Sequence, residues 1–511
     1  MLQERLVELG LDWVNNYYPY VNPVPYNTIA LEKMIVKHIK AGNKIAIFPD
    51  SDVDGILSAL EMKSLIELMG CKNVYIVSME HKSHGLNNKF IDQVINSDAK
   101  LLITVDSTTN NSGAINKLSV FGIDHIIIDH HEITEDIDSY PSNVVVVNSR
   151  DSRNEGFNNV SAGMLCYIIA HNLLNKVKIG NSVKESFLNK MFIFGYITLY
   201  TDCMDLLDKY NLSVIKNIYD KVNLIPKVIS QFMGEYDSLC RNFIEFKFGP
   251  RINALIRNEK FNILYELMFC RLNDERRALL LELTENCYQN SKELVGILST
   301  KIPVIIEGHY VFGNLDLISV EGVNESIIKN YTGLIANNLA NTYKKLAIVV
   351  SSDGFAEYKG SVRDLYSRKS LKLFERFCDC GGHMSAFGFR LLKRDIRNFN
   401  DQLNGYRDVM LNAVKTSQIV LDGDRFDDRL PYFLHGIAEY NEISGNTMPK
   451  AVIRKRIGHS MKVRRYEKYS SVMWDDVKIV CFQNVYIGDT LEVLPTIGKN
   501  EVVCYGTVRF D

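Results

Sequence analysis

The sequence lacks several features that would place the protein in a specialised class. No apolar run reaches the roughly 20 residues that a membrane-spanning helix needs, and the first residues do not show the charged-then-apolar order of a secretory signal. The ten cysteines are scattered, and the one close pair, Cys378 and Cys380, has no second pair at zinc-binding spacing. Internal repeats and low-complexity tracts are also absent. We therefore expect a reduced, cytoplasmic, globular protein.

Composition and charge add two expectations. A chain of 511 residues with 46% apolar and 23% charged residues is long enough for two to four ordinary domains. The net charge of -2 is unevenly distributed, because segment 450–468 alone carries eight basic residues and one acid, a net +7. An acidic body with one concentrated basic segment is typical of a protein that binds a polyanion.

One stretch, residues 44–58, carries the most chemical information. A buried-strand pattern at 45–48 is followed by aspartates on alternate positions, Asp50, Asp52 and Asp54. Alternate side chains of an extended chain point the same way, so these carboxylates would converge and repel one another. A cation would relieve that repulsion, and hard oxygen ligands favour manganese or magnesium. A solvated acidic turn, or a calcium loop, explains the same pattern.

Strand and helix signals alternate through the first third of the chain. This order predicts a parallel, doubly wound sheet, whose ligands lie beyond the carboxyl ends of its strands. The predicted strands are 74–77, 101–105, 126–128 and 144–147, and the predicted helices between them are 56–69, 89–95 and 113–121.

Polar residues follow these predicted strands. Asp106 ends strand 101–105, His130 lies just after strand 126–128, and Asp202 follows a later apolar run. A lone aspartate in such a place is more often a turn residue or a helix cap, but several at one edge of a sheet indicate a site. The combined set could hold two cations that share a bridging carboxylate, an arrangement suited to phosphoryl transfer. Its members are Asp50, Asp52, Asp54, Asp106, His130 and Asp202.

The ordered motifs resemble those of the DHH phosphoesterase family, and within it the RecJ-type single-stranded DNA exonucleases. The family triplet is Asp129-His130-His131, and the acidic stretch at 50–55 precedes it. The further matches are 249–254 (GPRINA), 331–340 (YTGLIANNLA), 359–363 (KGSVR) and 381–388 (GGHMSAFG).

The resemblance implies an α/β architecture of four parts. They are a doubly wound DHH catalytic domain with an N-terminal lead-in (1–235), a helical linker (236–300), a smaller α/β DHH-associated substrate-binding domain (301–430) and an OB-like C-terminal β-barrel that binds nucleic acid (431–511). We expect the linker tract 262–300 to be an unbroken helix, and we expect strands at 304–306, 315–319 and 346–350 in the third part. Short strand patterns between turn residues in the last part agree with a small barrel.

The resemblance also implies roles for single residues. Asp106 is the expected bridging ligand, and His131 is expected to bind phosphate or donate a proton, unless it only orients its neighbour. The expected substrate contacts are Lys82, Arg251, Asn253, Arg257, Ser361, Arg363, Gly381, Gly382, His383, Arg454, Lys455, Arg456 and Tyr466. For the glycine pair the alternative is a tight turn, and for the basic tail an ordinary charged surface.

Departures from the family pattern fall on substrate contacts. Ser107-Thr108-Thr109 replaces a small residue and glycine, and His84-Gly85-Leu86 stands where a tyrosine-led triplet is usual. Leu255-Ile256-Arg257 replaces Ala-Gly-Arg. The family usually has an arginine before the tyrosine-led triplet, and its nearest counterpart here is Lys82. These changes leave the expected chemistry intact.

The function implied is a metal-dependent exonuclease of single-stranded DNA, working 5′ to 3′ in DNA repair, recombination or replication, with two divalent ions, manganese favoured. A single-strand-binding protein or a helicase is a candidate partner, and a monomer is expected. One alternative is a DHH hydrolase of short oligonucleotides, cyclic dinucleotides or nucleotide bisphosphates. A second is an inactive nucleic-acid-binding protein.

Overall fold

The computed structural model describes most of residues 22–395, together with 418–422 and 450–509. Short gaps interrupt these ranges at 156, 207, 219–223, 235, 237, 308–309, 353–355, 365–369, 377, 384–385, 468, 475 and 498–501. Residues 399, 434, 437, 438 and 441 are also described. No helix in this part of the chain is long and apolar enough to cross a membrane.

The first sheet has five parallel strands in the order β2-β1-β3-β4-β5. Its central strands are apolar runs buried on both faces, as a parallel sheet covered by helices requires. Strand order reverses between β1 and β3, so a crevice opens beyond their carboxyl ends. The strands are β1 (Ile45–Pro49), β2 (Val74–Ile76), β3 (Leu101–Val105), β4 (Asp124–Asp129) and β5 (Val144–Asn148).

Helices cover both faces of this sheet, and the predicted doubly wound α/β fold is confirmed. Side chains of Asp52, Asn87, Asn111 and Ser161 cap four of the helices by accepting backbone hydrogen bonds. The helices are α1 (Thr28–Lys40), α2 (Val53–Leu68), α3 (Asn88–Asn96), α4 (Ser112–Val120), α5 (Ala162–Leu174) and α6 (Asn181–Thr201). The largest apolar core of the described chain includes residues of α2, α5 and α6.

A helical region follows, and here one prediction is wrong. The tract 262–300 is two helices, because the chain leaves helical geometry after Phe269 and the Asn273 side chain starts a new helix by accepting the Arg276 N–H. The elements are α7 (Lys209–Asn217), α8 (Lys227–Ser230), α9 (Arg241–Phe243), a π-helix (Ile244–Phe248), α10 (Gly249–Arg257), α11 (Phe261–Phe269) and α12 (Asp274–Lys301).

The second sheet has six strands in the order β10-β11-β9-β8-β7-β6. The predicted strand 315–319 is wrong, because Leu315–Leu317 is a 3₁₀ turn whose Asp316 N–H is capped by the Asn314 side chain. The strands are β6 (Val304–Ile306), β7 (Tyr310–Asn314), β8 (Leu346–Ser352), β9 (Glu357–Arg363), β10 (Asp379–His383) and β11 (Ala386–Leu392). The accompanying helices are α13 (Glu325–Lys329), α14 (Thr332–Tyr343) and α15 (Ser370–Phe374), and the remaining 3₁₀ turns are Ile137–Ser139 and Lys393–Asp395.

The third sheet has seven strands in the order β12-β13-β17-β18-β16-β15-β14. Most neighbours are antiparallel, as short strands joined by turns predict, and closure into an OB-like barrel stays a prediction. β12 lies within the range predicted for the third part of the chain, yet it pairs with β13; the predicted boundary at 430/431 lies outside the described residues. The strands are β12 (Gln418–Asp422), β13 (Lys450–Arg456), β14 (Lys462–Arg465), β15 (Ser470–Trp474), β16 (Val477–Cys481), β17 (Thr490–Ile497) and β18 (Val502–Arg509).

Helix α2 carries one carboxyl group into the core. Glu61 is buried, and neither of its carboxyl oxygens has a hydrogen-bond partner among the residues that the structure describes. Burial, and then the charge of Asp54, raise the pKa of Glu61 well above its usual range. The folded protein therefore keeps Glu61 protonated at pH values where the unfolded chain ionises it, so Glu61 costs stability as the pH rises above the ordinary carboxyl pKa.

We expect Glu61→Met to raise the free energy of unfolding at pH 7 by about 1–3 kcal/mol, since it removes a buried group without a partner. The gain should shrink toward pH 4, where Glu61 is protonated in both states. Urea unfolding in chelator between pH 4 and pH 8 measures this. The control is Glu67→Met, at an exposed position of the same helix paired with Lys63, which should change stability by less than about 1 kcal/mol. Equal shifts for the two variants would contradict the explanation.

Candidate metal centre

The start of helix α2 fixes two of the predicted carboxylates. Asp52 caps the helix by accepting a hydrogen bond from the Gly55 N–H at 3.0 Å. The oxygens of Asp54 accept hydrogen bonds from the Ala162 and Gly163 N–H groups, at 2.9 and 2.7 Å, at the N-terminus of α5. Unpaired N–H groups at a helix N-terminus are well suited to hold a carboxylate. Helix ends therefore set where both side chains lie.

Asp50 is held on the other side of the same loop. It accepts hydrogen bonds from the Gly85 N–H at 2.9 Å and from His84 Nδ1 at 2.7 Å. Gly55 makes the close approach of this loop to the helix possible, because a Cβ there would lie 2.5 Å from the Asp50 backbone N and O. The acidic stretch therefore needs a glycine at position 55 for a steric reason.

Three further side chains reach the same place from separate elements. Asp106 directly follows β3 with a left-handed backbone, φ 62°. His130 follows β4, and Asp202 follows the last turn of α6. The Nε2 atom of His130 is 3.1 Å from Asp106 Oδ1, 3.1 Å from Asp202 Oδ2 and 4.0 Å from Asp54 Oδ2. One nitrogen thus faces three carboxylates, although an N–H has a single hydrogen to donate.

The predicted ligands form three overlapping groups, in each of which the ligand atoms lie within 4.8 Å of one another. Asp106 belongs to two groups and His130 to two, so the groups are one continuous cluster. The groups are Asp50 with Asp52 and Asp106, Asp106 with His130 and His131, and Asp54 with His130 and Asp202. All six residues predicted as ligands therefore lie together.

The carboxylates of this cluster oppose one another electrostatically. Burial, followed by the charges of neighbouring aspartates, raises the pKa of Asp52, Asp54 and Asp106. A divalent cation offsets such charge, and an oxygen-rich set with imidazole suits manganese or magnesium. The residues present thus fit divalent metal ions.

The three residues of the triplet Asp129-His130-His131 have different roles. Asp129 Oδ1 accepts a hydrogen bond from His131 Nδ1 at 2.7 Å, and Asp129 Oδ2 accepts one from the Thr109 N–H at 3.1 Å. Burial favours the uncharged forms of both side chains. The attraction between the Asp129 carboxylate and the His131 imidazole outweighs burial, so it lowers the pKa of Asp129 and raises that of His131 to about 10. The Asp129 carboxylate thus favours the protonated form of His131. Sequence reasoning missed the orienting roles of Asp129 and of His84, although both lie in quoted motifs.

A cation cluster, which comprises Lys82, Arg257 and Arg363, lies beside the acids. Burial, followed by the charge of Arg257, lowers the pKa of Lys82 to about 8, while Asp50 and Asp52 act in the opposite direction. Burial is also the main cause that lowers the pKa of Arg257, to about 10, and that of Arg363. Within the described chain, none of the three forms an ion pair with a carboxylate. They come from the first sheet region, α10 and β9.

The cation cluster borders the N-terminus of α14. A Cβ at Gly333 would lie 2.7 Å from Arg363 Nη2, so glycine is needed for the guanidinium to lie over this helix. Ser361 Oγ is 2.9 Å from Thr332 Oγ1. Backbone N–H groups at a helix N-terminus, hydroxyls and cations are the groups that bind phosphate.

Other predicted substrate residues lie in helix α10 and in strand β10. Arg251 pairs with Glu285 at 2.6 Å and lies over the Tyr288 ring, so its guanidinium joins α10 to α12. Asn253 is half-buried in α10. The remaining members are Gly381 and Gly382 in β10, where the backbone of Gly382 has φ 134°, and His383, whose side chain lies outside the described part.

The tail residues predicted to contact the substrate differ in how their side chains are engaged. Arg454 pairs with Glu492 at 2.9 Å, and Arg456 Nε donates to the Gly488 carbonyl at 3.3 Å. Lys455 lies 5.0 Å from the centroid of the buried Trp474 ring. Tyr466 is exposed and stacks on Tyr469, with ring centroids 4.5 Å apart.

Several known proteins resemble this chain. Residues 44–193 match the DHH family, N-terminal domain. The chain is 27% identical over 402 residues to the putative SPbeta prophage-derived single-strand DNA-specific exonuclease YorK of Bacillus subtilis, which covers 72% of this chain and 67% of that protein. It is 22% identical over 395 residues to the single-stranded-DNA-specific exonuclease RecJ of Bacillus subtilis, covering 74% of this chain and 47% of RecJ. The chain thus spans about two thirds of one relative and about half of the other.

Solved structures share the fold over nearly the whole chain. RecJ from Thermus thermophilus, solved in complex with Mn²⁺, superposes with a TM-score of 0.70 at 15% identity and covers 99% of this chain and 75% of that one. At 15% identity the match shows a shared fold and nothing more. Residues 44–193 of the chain thus match the DHH domain, and the predicted resemblance of the chain to the DHH phosphoesterase family, and within it to RecJ, is confirmed.

Proposed function

We propose that this protein is a metal-dependent hydrolase that degrades single-stranded DNA from one end. The convergence of six metal-competent side chains at the crevice between β1 and β3 carries the proposal. Relatives named as single-strand DNA-specific exonucleases support the substrate class. The 5′-to-3′ direction, and a role in repair, recombination or replication, are proposed from the resemblance alone.

Two divalent ions, manganese favoured, are proposed for the cluster, and Asp106 is the proposed shared ligand because, of the two residues common to two ligand groups, it is the one with two oxygens to offer. Ions at this place would offset the charge of the scissile phosphate and make a nearby water a stronger nucleophile. Asp50 and Asp52 share one ligand group with Asp106, and Asp54 and Asp202 share another with His130.

His131 is proposed to act on the substrate rather than only to orient a neighbour. Its Nδ1 is held by Asp129, which leaves Nε2 to face a phosphate oxygen or the leaving oxygen. The side chain is partly exposed, whereas that of His130 is buried. A cationic imidazole at this place can stabilise developing negative charge or donate its proton.

The cation cluster is proposed to hold a phosphate group of the bound strand. Lys82, Arg257 and Arg363 form no ion pair with a carboxylate of the described chain, and the charges of Asp50 and Asp52 in the acidic cluster act on Lys82. A phosphate held there would place the next phosphodiester bond toward the metal ligands. Ser361 and the N-terminus of α14 offer further donors.

One digestion experiment separates the candidate functions. A 30-nucleotide DNA strand, labelled at either end, and a dinucleotide are incubated with the protein in manganese, in magnesium and in chelator. Stepwise loss of the long strand from its 5′ end, only with metal, is the expected result. Hydrolysis of the dinucleotide alone would instead support a short-oligonucleotide hydrolase, and no hydrolysis of either would refute the enzyme proposal.

Asp106→Asn should reduce the hydrolysis rate by at least roughly a thousandfold, equivalent to about 4 kcal/mol of transition-state stabilisation. Asparagine keeps the shape and tolerates the left-handed backbone, so the fold should persist. The matched control is Asp98→Asn, at an exposed aspartate with φ 60°, which should leave the rate unchanged. A fully active Asp106→Asn protein would overturn the site.

The affinity for a phosphate-bearing strand should fall as the pH rises through about 8, because Lys82, with its pKa lowered to about 8, loses its charge there. The dissociation constant of the Asp106→Asn protein for a 5′-phosphorylated strand, measured from pH 7 to pH 9, tests this. Adding Lys82→Arg should flatten the profile, since arginine stays charged. Lys33→Arg, at an exposed lysine of α1, is the control. If the dissociation constant rose equally with pH in the Asp106→Asn protein and in both of its lysine variants, the assignment of the effect to Lys82 would be contradicted.

A further inference from the structure

Three polar side chains from separate helices meet beside the cation cluster. The hydroxyl of Tyr331, directly before α14, donates a hydrogen bond to Ser291 Oγ in α12 at 2.8 Å. The side-chain nitrogen of Asn258, directly after α10, donates to Ser291 Oγ at 2.7 Å and to Tyr331 Oη at 2.9 Å. Each of these polar groups therefore contacts the other two. We call Asn258, Ser291 and Tyr331 the polar triad.

The polar triad lies inside the protein. Tyr331 is fully buried, Ser291 is buried and Asn258 is half-buried. The Tyr331 ring belongs to the apolar core that α12 and α14 share, and its hydroxyl is the end that reaches Asn258. A buried polar group is costly to leave without a partner, so the three groups hold one another in place. The buried Tyr331 hydroxyl can affect a bound strand only through its neighbours.

Two members of the cation cluster lie next to the polar triad. Arg257 directly precedes Asn258, and its carbonyl accepts a hydrogen bond from the side chain of Asn330 at 2.9 Å. Arg363 lies against the backbone two residues after Tyr331, where a Cβ at Gly333 would be 2.7 Å from Arg363 Nη2. The contact between the ends of α10 and α14 therefore sets where these two guanidinium groups lie relative to each other.

The segment that carries the third cation is held at the same place. His81, which directly precedes Lys82, has its Nδ1 atom 3.1 Å from Glu259 Oε2. Glu259 directly follows Asn258, and its other carboxylate oxygen is 3.5 Å from the Asn330 side-chain nitrogen. The Lys82 segment is thus attached to the end of α10 that the polar triad fixes.

The three cations repel one another. The charges of Arg257 and Arg363 act against that of Lys82, and the charge of Arg363 acts against that of Arg257. Within the described chain no carboxylate forms an ion pair with any of them. Hydrogen bonds between uncharged groups therefore have to keep the cations together. Donors that are held in place before the ligand arrives bind it more tightly, since less ordering remains to be done on binding.

We propose that Tyr331 is a positioning residue of the proposed phosphate site, because its buried hydroxyl joins the ends of α10 and α14 and so sets the spacing of the cation cluster. This inference rests on the proposed function, from which it takes the binding of a phosphate by these cations. It adds a residue that acts through the polar triad without touching the strand. Loss of the hydroxyl should therefore weaken strand binding and leave the metal centre intact.

The first test removes the hydroxyl and keeps the ring. In the full chain carrying Asp106→Asn, Tyr331→Phe should raise the dissociation constant for a 5′-phosphorylated 20-nucleotide strand about fivefold to tenfold, as expected when one hydrogen bond of a site is lost. The slope of log affinity against log salt should fall in magnitude by about 0.7, the contribution of one phosphate of a single strand. Unchanged affinity and slope would overturn the proposal.

Kinetics of the chain with an intact Asp106 separate positioning from general damage. With manganese present, Tyr331→Phe should raise KM for the strand by about the same factor and change kcat by less than about twofold. The expected metal ligands lie on other elements, so the chemical step should continue once the strand is bound. A fall in kcat with an unchanged KM would show that the hydroxyl supports the metal centre or the fold, and would overturn the proposal.

A matched control tests whether any buried tyrosine hydroxyl would have this effect. Tyr310 lies in β7 of the second sheet, is buried and is not part of the polar triad. Tyr310→Phe should leave the dissociation constant, the salt slope and KM unchanged. Equal losses for Tyr310→Phe and Tyr331→Phe would contradict the proposal.

A second substitution tests whether the polar triad acts as a unit. Ser291→Ala should weaken strand binding in the same direction, and the double variant with Tyr331→Phe should bind less than about twofold more weakly than the weaker single variant. Losses that multiply would show that the two hydroxyls act separately, which overturns the proposal. If Tyr331→Phe does not fold, Ser291→Ala alone decides the matter in the same assays, and unchanged affinity would then refute the inference.

Failure of this inference and failure of the proposed function can be told apart. A parent chain with an intact Asp106 that neither binds nor degrades the strand would refute the proposed function, and this inference with it. A parent that degrades the strand, with affinity and KM indifferent to Tyr331→Phe and Ser291→Ala, would refute this inference alone.

Discussion

Repulsion between buried carboxylates is the constraint on which the rest of the structure depends. Burial, followed by the charges of neighbouring aspartates, raises the pKa of Asp52, Asp54 and Asp106, so the fold must hold these carboxyl groups together against their charges. It does so with backbone groups whose positions do not vary, such as the N-terminus of α5 under Asp54. A cation that binds the folded state alone both relieves the repulsion and stabilises the fold.

The charges of the site come from different parts of the chain. The first sheet supplies acids at the ends of its strands, whereas the cation cluster needs Lys82 after β2, Arg257 at the end of α10 and Arg363 in β9 of the second sheet. The cluster exists only when these parts pack together. Acids and cations therefore lie near one another although they come from separate parts of the chain.

Three of the non-glycine residues with a left-handed backbone lie at or next to the same cluster. Asp106, Thr108 and Cys203 have φ values of 62°, 85° and 53°, in the left-handed region that is unfavourable for residues other than glycine. Thr108 is β-branched, and it stands where the family usually has a glycine, so its strain is the greatest by residue type. Strain of this kind persists where surrounding structure enforces it, and it clusters at functional sites.

The sequence by itself determined the local features of this protein. Apolar runs that end in aspartate or histidine fixed the strands and the positions of Asp106 and His130 to within a few residues, because strand and turn propensities act over short ranges. The acidic stretch at 50–54 and the six metal-competent residues could be named for the same reason. The resemblance supplied the predicted substrate residues, whose roles stay predictions; of these, Arg251 joins two helices, and Lys455 lies over the Trp474 ring.

Tertiary structure decided everything that depends on which elements become neighbours. Strand order put β1 beside β3, and hence Asp52 near Asp106, although the two are far apart in the chain. The orienting contact from Asp129 to Thr109, the break after Phe269 and the stack of Phe482 on Tyr505 leave no periodic signal in the sequence. Contacts of this kind are set by packing between distant segments, and the propensities of single residues do not encode them.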